Sequence, residues 1–320
     1  MKKVIALVLC IMMAAFFVAC GGSGGGGDDS GLIKVGIINL EPSESGYREA
    51  NVKDFTDTFT EANGYDAQFS YNPTHDGQVA AFRQFITDGV DYILIAAAAT
   101  TGWDEALGEA KDNGIKVFLF DRIIECDEDL FEAAVISDMA KQGEIAVGLI
   151  KSLGFEEYNV IHIQGQLGSA AQEGRTGALQ AEFDAGTMNL VRRGSGGDSW
   201  SGDIAKEIVE AAITAGEKFN VIYAENDGMA EGAMKALDEA GITHGVDGDV
   251  AILGFDCNTW ALQYVLDGLW NFNVQCSPFQ AAKLDDMIKS GNVPSKIVIN
   301  DEKGFDAATI TKEDVEKYGI

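Results

Sequence analysis

Short apolar runs alternate with longer amphipathic stretches along most of the chain. The runs occupy 33–39, 67–72, 92–96, 116–120, 134–136, 160–163, 188–193, 221–224, 250–255 and 270–274. Most are near-continuous hydrophobics, which is how strands buried on both faces read. The stretches between them carry apolar residues at helical spacing: 52–63, 78–88, 102–113, 139–153, 177–185, 201–215, 228–240, 259–267 and 278–289. In 102–113 the apolar positions are Trp103, Leu107 and Ala110, and Gly114 supplies the stop. Strands alternating with helices of this length predict parallel sheets built from right-handed βαβ units. Ten strands are too many for one comfortable core, and the pattern restarts after about residue 138. The expected architecture is α/β, with two doubly wound, Rossmann-like lobes.

Ligands of such sheets bind outside the carboxyl ends of the strands. The residues just after each run are therefore the informative ones. They are Glu44, Ser45, Gly46 and Tyr47, then 97–103 with Trp103, then Asp121 and Arg122. In the second half they are 164–175 with Arg175, then Glu225, Asn226 and Asp227, then Asp256, Cys257 and Asn258, and finally Gln275. Planar polar side chains and rings dominate the set, a combination suited to a sugar. Carboxylates, amides and guanidinium forks bridge neighbouring hydroxyls with paired hydrogen bonds, and rings cover the C–H faces. Plainer roles compete at several positions. Asp121 and Arg122 would serve as a surface ion pair, Trp103 as core, Arg48 as a solvent-facing charge and Asn226 as a helix cap, with Asp227 the better-placed cap. Glu105, Glu109, Asp112, Asp285 and Asp286 read as solvated helix faces.

The N-terminal segment sets the expected compartment. Lys2 and Lys3 precede an apolar run over 4–19 that is short for a membrane span and ends on Val18, Ala19 and Cys20. It resembles a bacterial lipoprotein signal peptide with Cys20 as the lipidated residue, although Phe17 stands where leucine is usual; an ordinary secretory signal or an N-terminal anchor is the alternative. Residues 20–31 read as a glycine-rich tether that cannot pack. The 320 residues carry 23 Lys+Arg and 51 Asp+Glu, a net charge of −28. That balance disfavours nucleic acid, which needs a concentrated positive patch. Beyond Cys10 and Cys20, three cysteines remain, at 126, 257 and 276, with no Cys/His cluster to hold zinc. Cys257 and Cys276 either meet as a disulfide across neighbouring strand ends or stay as buried thiols. No cofactor motif stands at a strand–helix junction.

Five segments carry a resemblance to a known family: SESGYREA (43–50), DGVDYILIAAAATTGWDEALGEAKDNGIKVFLFDR (88–122), IQGQLG (163–168), YAENDGMAEGAMKALDEAG (223–241) and LGFD (253–256). From about residue 33 to 305 the chain resembles the type I periplasmic sugar-binding proteins of ABC importers, and among them the galactofuranose-binding type. The resemblance implies two lobes joined by three crossings, with a sugar held between them and the lobes closing on it. Expected boundaries are 32–137 with 276–305 for the first lobe, and 138–275 with 306–320 for the second. It places Glu44, Ser45, Gly46, Tyr47 and Arg48 on one wall beside Asp121 and Arg122, and Arg175, Asn226 and Asp256 on the other. Gln275 would contribute an amide near a crossing. Gly174 stands directly before Arg175 where an acidic residue is expected, and the loop 194–201 adds Trp200, which either packs against the ligand or caps a helix.

The function expected from this resemblance is capture of a monosaccharide, a galactofuranose-like hexose or a pentose, outside the cytoplasm by a monomeric, lipid-anchored protein. Delivery would be to a membrane permease driven by a separate ATPase. Presentation of the closed form to a sensory receptor is an alternative. A repressor on the same lobe pair would need an N-terminal helix-turn-helix, where this chain has a signal and a tether. An enzyme would need a motif such as GxGxxG, GxSxG or a P-loop at a strand–helix junction.

Overall fold

The computed structural model describes residues 31–320; the expected signal segment, the candidate lipidation site Cys20 and the tether up to residue 30 lie outside the described residues. The first lobe alternates β1 (Ile33–Asn39), α1 (Gly46–Thr58), β2 (Tyr65–Tyr71), α2 (His75–Asp88), β3 (Tyr92–Ile95), α3 (Asp104–Asp112), β4 (Lys116–Asp121) and β5 (Ala133–Ile136). The second runs through α4 (Met139–Ser152), β6 (Asn159–Gln164), α5 (Ala170–Asp184), β7 (Asn189–Ser195), α6 (Gly202–Thr214) and β8 (Val221–Ala224). It continues with α7 (Asp227–Ala240), β9 (Ala251–Asp256), α8 (Thr259–Leu266) and β10 (Phe272–Gln275). The chain finishes with α9 (Ala281–Ser290), β11 (Ile297–Ile299), β12 (Gly304–Asp306) and α10 (Lys312–Tyr318).

Two six-stranded sheets result. The first has the order β11-β5-β4-β3-β1-β2 and is parallel throughout. The second has the matching order β12-β10-β9-β8-β6-β7, parallel except for the edge strand β12. Strand order reverses beside β1 in one sheet and β6 in the other, and a crevice opens at that switch point. Each sheet is covered on both faces. In the first lobe Val35, Ile37, Leu94 and Phe120 pack with Phe55 of α1 and Leu284 of α9. Ile38, Ile93, Ile95 and Leu119 face the other way, against Phe82 of α2 and Trp103. This two-sided burial is why the strands read as unbroken apolar runs.

The elements depart from the periodicity in an informative way. Helix α1 begins at Gly46 and α5 at Ala170, ahead of the expected 52 and 177. Ser45 and Ser169 cap these helices, their hydroxyls accepting from Arg48 N and Gln172 N. The opening two turns spend Tyr47, Arg48 and Arg175 on the crevice, so apolar spacing resumes only later. The edge strands β11 and β12 have three residues each, too few to show a pattern. Chain crossings between the sheets fall at Ser137 and Asp138, at 276–280 and at 300–303. The expected switch at 306 comes earlier, because Gly304 and Phe305 already pair with Val274 and Asn273 of the second sheet.

Candidate functional site

The first wall grows from the ends of β1 and β4. Arg48, 1% exposed, is held on four sides: Nη2 to Asp121 Oδ2 at 2.6 Å, Nε to Glu44 Oε2 at 3.2 Å, and Nη1 to Asn39 Oδ1 and Asn51 Oδ1 at 2.9 and 3.0 Å. Tyr47 donates its hydroxyl to Asp121 Oδ1 at 2.7 Å and accepts from Gln280 Nε2 at 3.2 Å. Burial, then the Asp121 charge, pushes the Tyr47 phenol well above its usual range, so it stays a donor. Arg122 lies 3.6 Å from Glu44 Oε1 and 3.5 Å from Asp121 Oδ2. Burial pushes Asp121 upward, but the Arg48 and Arg122 guanidinium groups, with hydrogen bonds from Arg48 and Tyr47, outweigh it and hold the carboxyl below the usual carboxylate range.

The second wall is built from α5, α7 and β9. Arg175, 2% exposed, donates Nη2 to Asp256 Oδ1 at 3.1 Å, Nε to Gln142 Oε1 at 2.9 Å and Nη1 to the Glu225 carbonyl, while its guanidinium stacks 4.6 Å from the Phe255 ring centroid. Asn226 caps α7, its Oδ1 accepting from Met229 N at 2.8 Å, and its side chain still reaches the crevice. The helix-cap reading of Asn226 is thus met, and the residue also lines the cavity. Buried Asp227, beside it, accepts from Asn258 N, Asn258 Nδ2 and Asn273 Nδ2 at 2.8, 3.0 and 2.6 Å. Burial raises Asp256, with Asp121 and Glu44 across the crevice adding to the effect and Arg175 opposing it.

Together the walls line a narrow cavity of about 20 Å³, far below the roughly 300–1,000 Å³ that occupied ligand sites span, so a sugar would enter only as the walls part. It is lined by Glu44, Ser45, Tyr47, Arg48, Asp121, Arg122, Met139, Ala171, Arg175, Trp200, Asn226, Asp256 and Cys276. The lobes touch at its mouth. Arg122 Nη1 donates to Gln166 Oε1 at 3.5 Å, Gln166 Nε2 donates to the Pro73 carbonyl at 3.2 Å, and Gly46 abuts Asn258 so closely that a Cβ there would lie 1.9 Å from Asn258 Oδ1. Three buried atoms in the lining, Glu44 Oε1, Arg122 Nε and Trp200 Nε1, have no hydrogen-bond partner within the protein. The non-glycine residues with positive φ among the described residues also concentrate here: Asp121, Trp200, Asp256 and its neighbour Cys257. Each costs on the order of 1–3 kcal/mol and is held by its surroundings.

Ten of the twelve residues expected to bind substrate from the sequence line the cavity or its mouth. Two do not. Trp103 is fully buried in the first lobe's core, its Nε1 donating to the Ala99 carbonyl at 2.9 Å, with His75 edge-on to its ring. Gln275 ends β10 opposite Asp256 and is absent from the cavity wall; successive residues point to opposite sides, so the next one, Cys276, takes that place. Gly46 acts at the mouth rather than in the lining. Met139, Ala171 and Cys276 were missed because nothing in their chemistry distinguishes them from core. Trp200 carried a signal, a lone indole in a polar loop after a strand. Its ring lies against Gly165, whose missing Cβ makes the seat: a Cβ would fall 1.9 Å from the indole Cζ3. Cys126, Cys257 and Cys276 are free thiols. Among the described residues no His/Cys/Asp/Glu group is placed to hold a metal ion, and no helix is long and apolar enough to cross a membrane.

The depressed Asp121 has a measurable consequence. Its stabilisation is fully present above the ordinary aspartate value of about 4 and is lost as pH falls through the lower folded value. Thermal midpoints of the native protein should therefore fall more steeply below about pH 4 than those of Asp121→Asn, which has no proton to take up there. Parallel slopes in the two melting series would assign the acid sensitivity to other groups.

A family model described as a periplasmic binding protein domain matches residues 35–285. The galactofuranose-binding protein YtfQ of Escherichia coli K12 is 32% identical over 286 residues, spanning 86% of this chain and 88% of the relative. A crystal structure of a galactofuranose binding protein superposes with a TM-score of 0.80 at 31% identity, covering 89% of this chain and 98% of that one. The periplasmic binding component of the arabinose ABC transporter of Shewanella sp. ANA-3, bound to α- and β-L-arabinofuranose, superposes with a TM-score of 0.78 at 27% identity, covering 88% and 93%.

Proposed function

Because the chain belongs to the periplasmic binding protein domain family, we propose that it captures a monosaccharide, a galactofuranose-like hexose or a pentose, in the cavity between its lobes. The observation that carries this reading is the set of buried wall atoms without a hydrogen bond, of which Glu44 Oε1 and Arg122 Nε have only longer ion-pair contacts of 3.6 and 3.5 Å. Glu44 Oε1 calls for a donor, whereas Arg122 Nε and Trp200 Nε1 call for acceptors. Hydroxyl groups are both, and leaving such atoms unpaired in a dry cavity costs about 1–3 kcal/mol each. The lining is also balanced in charge, with Glu44, Asp121 and Asp256 against Arg48, Arg122 and Arg175. Such a balance suits a neutral ligand better than an anion or a cation. The Tyr47 and Trp200 rings supply apolar cover.

The mechanism is a hinge. A sugar that bonds both walls favours the closed arrangement by its differential contacts, with no bond made or broken. Micromolar affinity corresponds to about −8 kcal/mol, within reach of a few charge-assisted hydrogen bonds and ring contacts after ordering costs. Anchoring through Cys20 and delivery of the sugar to an ABC permease complete the reading; they rest on the N-terminal pattern and on the family. Calorimetry of the purified protein with D-galactose, L-arabinose, D-fructose and D-xylose should give saturable heat with at least one sugar, and small-angle scattering should show compaction with the same one. No heat and no compaction across the panel would remove monosaccharide capture.

A further inference from the structure

Glu302 lies on the third crossing, outside the cavity lining, yet it touches the other two crossings. Its Oε1 accepts from Ser137 Oγ of the first at 2.6 Å and from Ser277 N of the second at 2.7 Å. Its Oε2 accepts from Gln142 Nε2 of α4 at 2.7 Å. The other end of that amide, Gln142 Oε1, accepts from Arg175 Nε in the second wall at 2.9 Å. We infer that Glu302 is a positioning residue for the binding site, tying the three hinge strands together and fixing the Arg175 guanidinium through Gln142.

The argument is one of hydrogen-bond polarity. The path has an obligate donor at each end, the Ser277 backbone N–H and the Arg175 Nε–H, since a guanidinium in a protein stays protonated. Gln142 donates with one end and accepts with the other, so residue 302 must accept from both sides. A carboxylate does this; a carboxamide has one acceptor and cannot. In Glu302→Gln either turn of the new amide sets an N–H against Ser277 N or against Gln142 Nε2. If Gln142 turns over to relieve the second conflict, its own N–H meets Arg175 Nε. An isosteric change at the hinge is thereby passed to a side chain of the wall. The coupling follows hydrogen bonds whose directions are set by chemistry, and it makes a distinctive prediction: moving the carboxylate one step along the path restores it. In the double variant Q142E/E302Q, the carboxylate now at position 142 accepts from Arg175 Nε and from the new amide at position 302, whose oxygen accepts from Ser277 N.

The effect on ligand affinity rests on the cavity being a sugar site, so two readouts are needed. Wild type, E302Q, Q142E and Q142E/E302Q are titrated with D-galactose, L-arabinose and D-fructose, and each is unfolded in urea without sugar. E302Q is expected to weaken binding by on the order of tenfold, as for one broken charge-assisted hydrogen bond, and to lower the urea midpoint. The double variant is expected to recover most of both losses, which a purely steric or packing role at 302 would not produce. Wild-type affinity and midpoint in E302Q, or a double variant no better than E302Q, would overturn the inference. If wild type binds none of these sugars, the functional reading fails on its own, and the urea midpoints of the four proteins still decide the hydrogen-bond path.

Discussion

Arg175→Ala is expected to weaken monosaccharide binding by on the order of 10²-fold or more, about 2.7 kcal/mol. Arg175 is buried and makes three hydrogen bonds at once, to Asp256, Gln142 and the Glu225 carbonyl. Removing it strips the donors from three acceptors and leaves the buried Asp256 carboxylate without its counter-charge. Truncating one partner of a buried, hydrogen-bonded charge pair typically costs about 2–5 kcal/mol, much of it the penalty on the charge left behind. Part of that cost falls on folding, so the binding measurement needs a folded comparison. Arg175→Lys keeps the positive charge but loses the planar fork that spans Asp256 and Gln142. It should fold and should still bind about tenfold more weakly than wild type. Calorimetric affinities equal to wild type in both variants would remove Arg175 from the site.

The second large effect is expected at Trp200, where two substitutions separate two roles. Trp200→Ala removes the ring and opens space beside Gly165, and should cost on the order of 10²-fold in affinity, as large buried aromatics at binding hot spots do. Trp200→Phe keeps a ring and removes the indole N–H, the atom that has no partner within the protein. A loss of roughly threefold to tenfold for Trp200→Phe marks the N–H as a donor to a sugar oxygen. Full retention by the phenylalanine variant would leave the ring as cover alone. Ligand-induced change in tryptophan fluorescence should be present in wild type and largely absent in both variants. The other three tryptophans provide the background: Trp103 and Trp270 are fully buried in the lobe cores, and the exposed Trp260 packs edge-on to Trp270, outside the cavity lining.

The contrast between Trp103 and Trp200 shows where a linear reading stops. Both lie after a strand, and both are single indoles near polar residues. Trp103 turns inward because α2 and α3 pack over it, with Phe82 and Leu107 in the same cluster. Trp200 turns toward the cavity because its backbone adopts φ +50° and because residue 165, far away in sequence, is a glycine. Ser45 and Ser169 are more legible: a capping residue ahead of a polar first turn marks a helix that begins before its apolar spacing does. Read that way, 45–48 and 169–175 announce helices that bring Arg48 and Arg175 to the crevice.

The alternation of apolar runs and amphipathic stretches was enough to determine two doubly wound lobes, because strands buried on both faces and helices covering them impose their period on the chain. The same logic placed Asp121, Arg122, Asn226 and Asp256 at strand ends, where sheets of this kind present side chains to a ligand. The tertiary structure alone decided which atoms around the cavity already have hydrogen bonds and which do not. It alone brought Glu302 onto Ser137, Ser277 and Gln142, residues 165, 25 and 160 positions away. Hydrogen-bond partnership depends on distance in space, and the packing of two lobes across three crossings sets those distances with no trace in the local pattern.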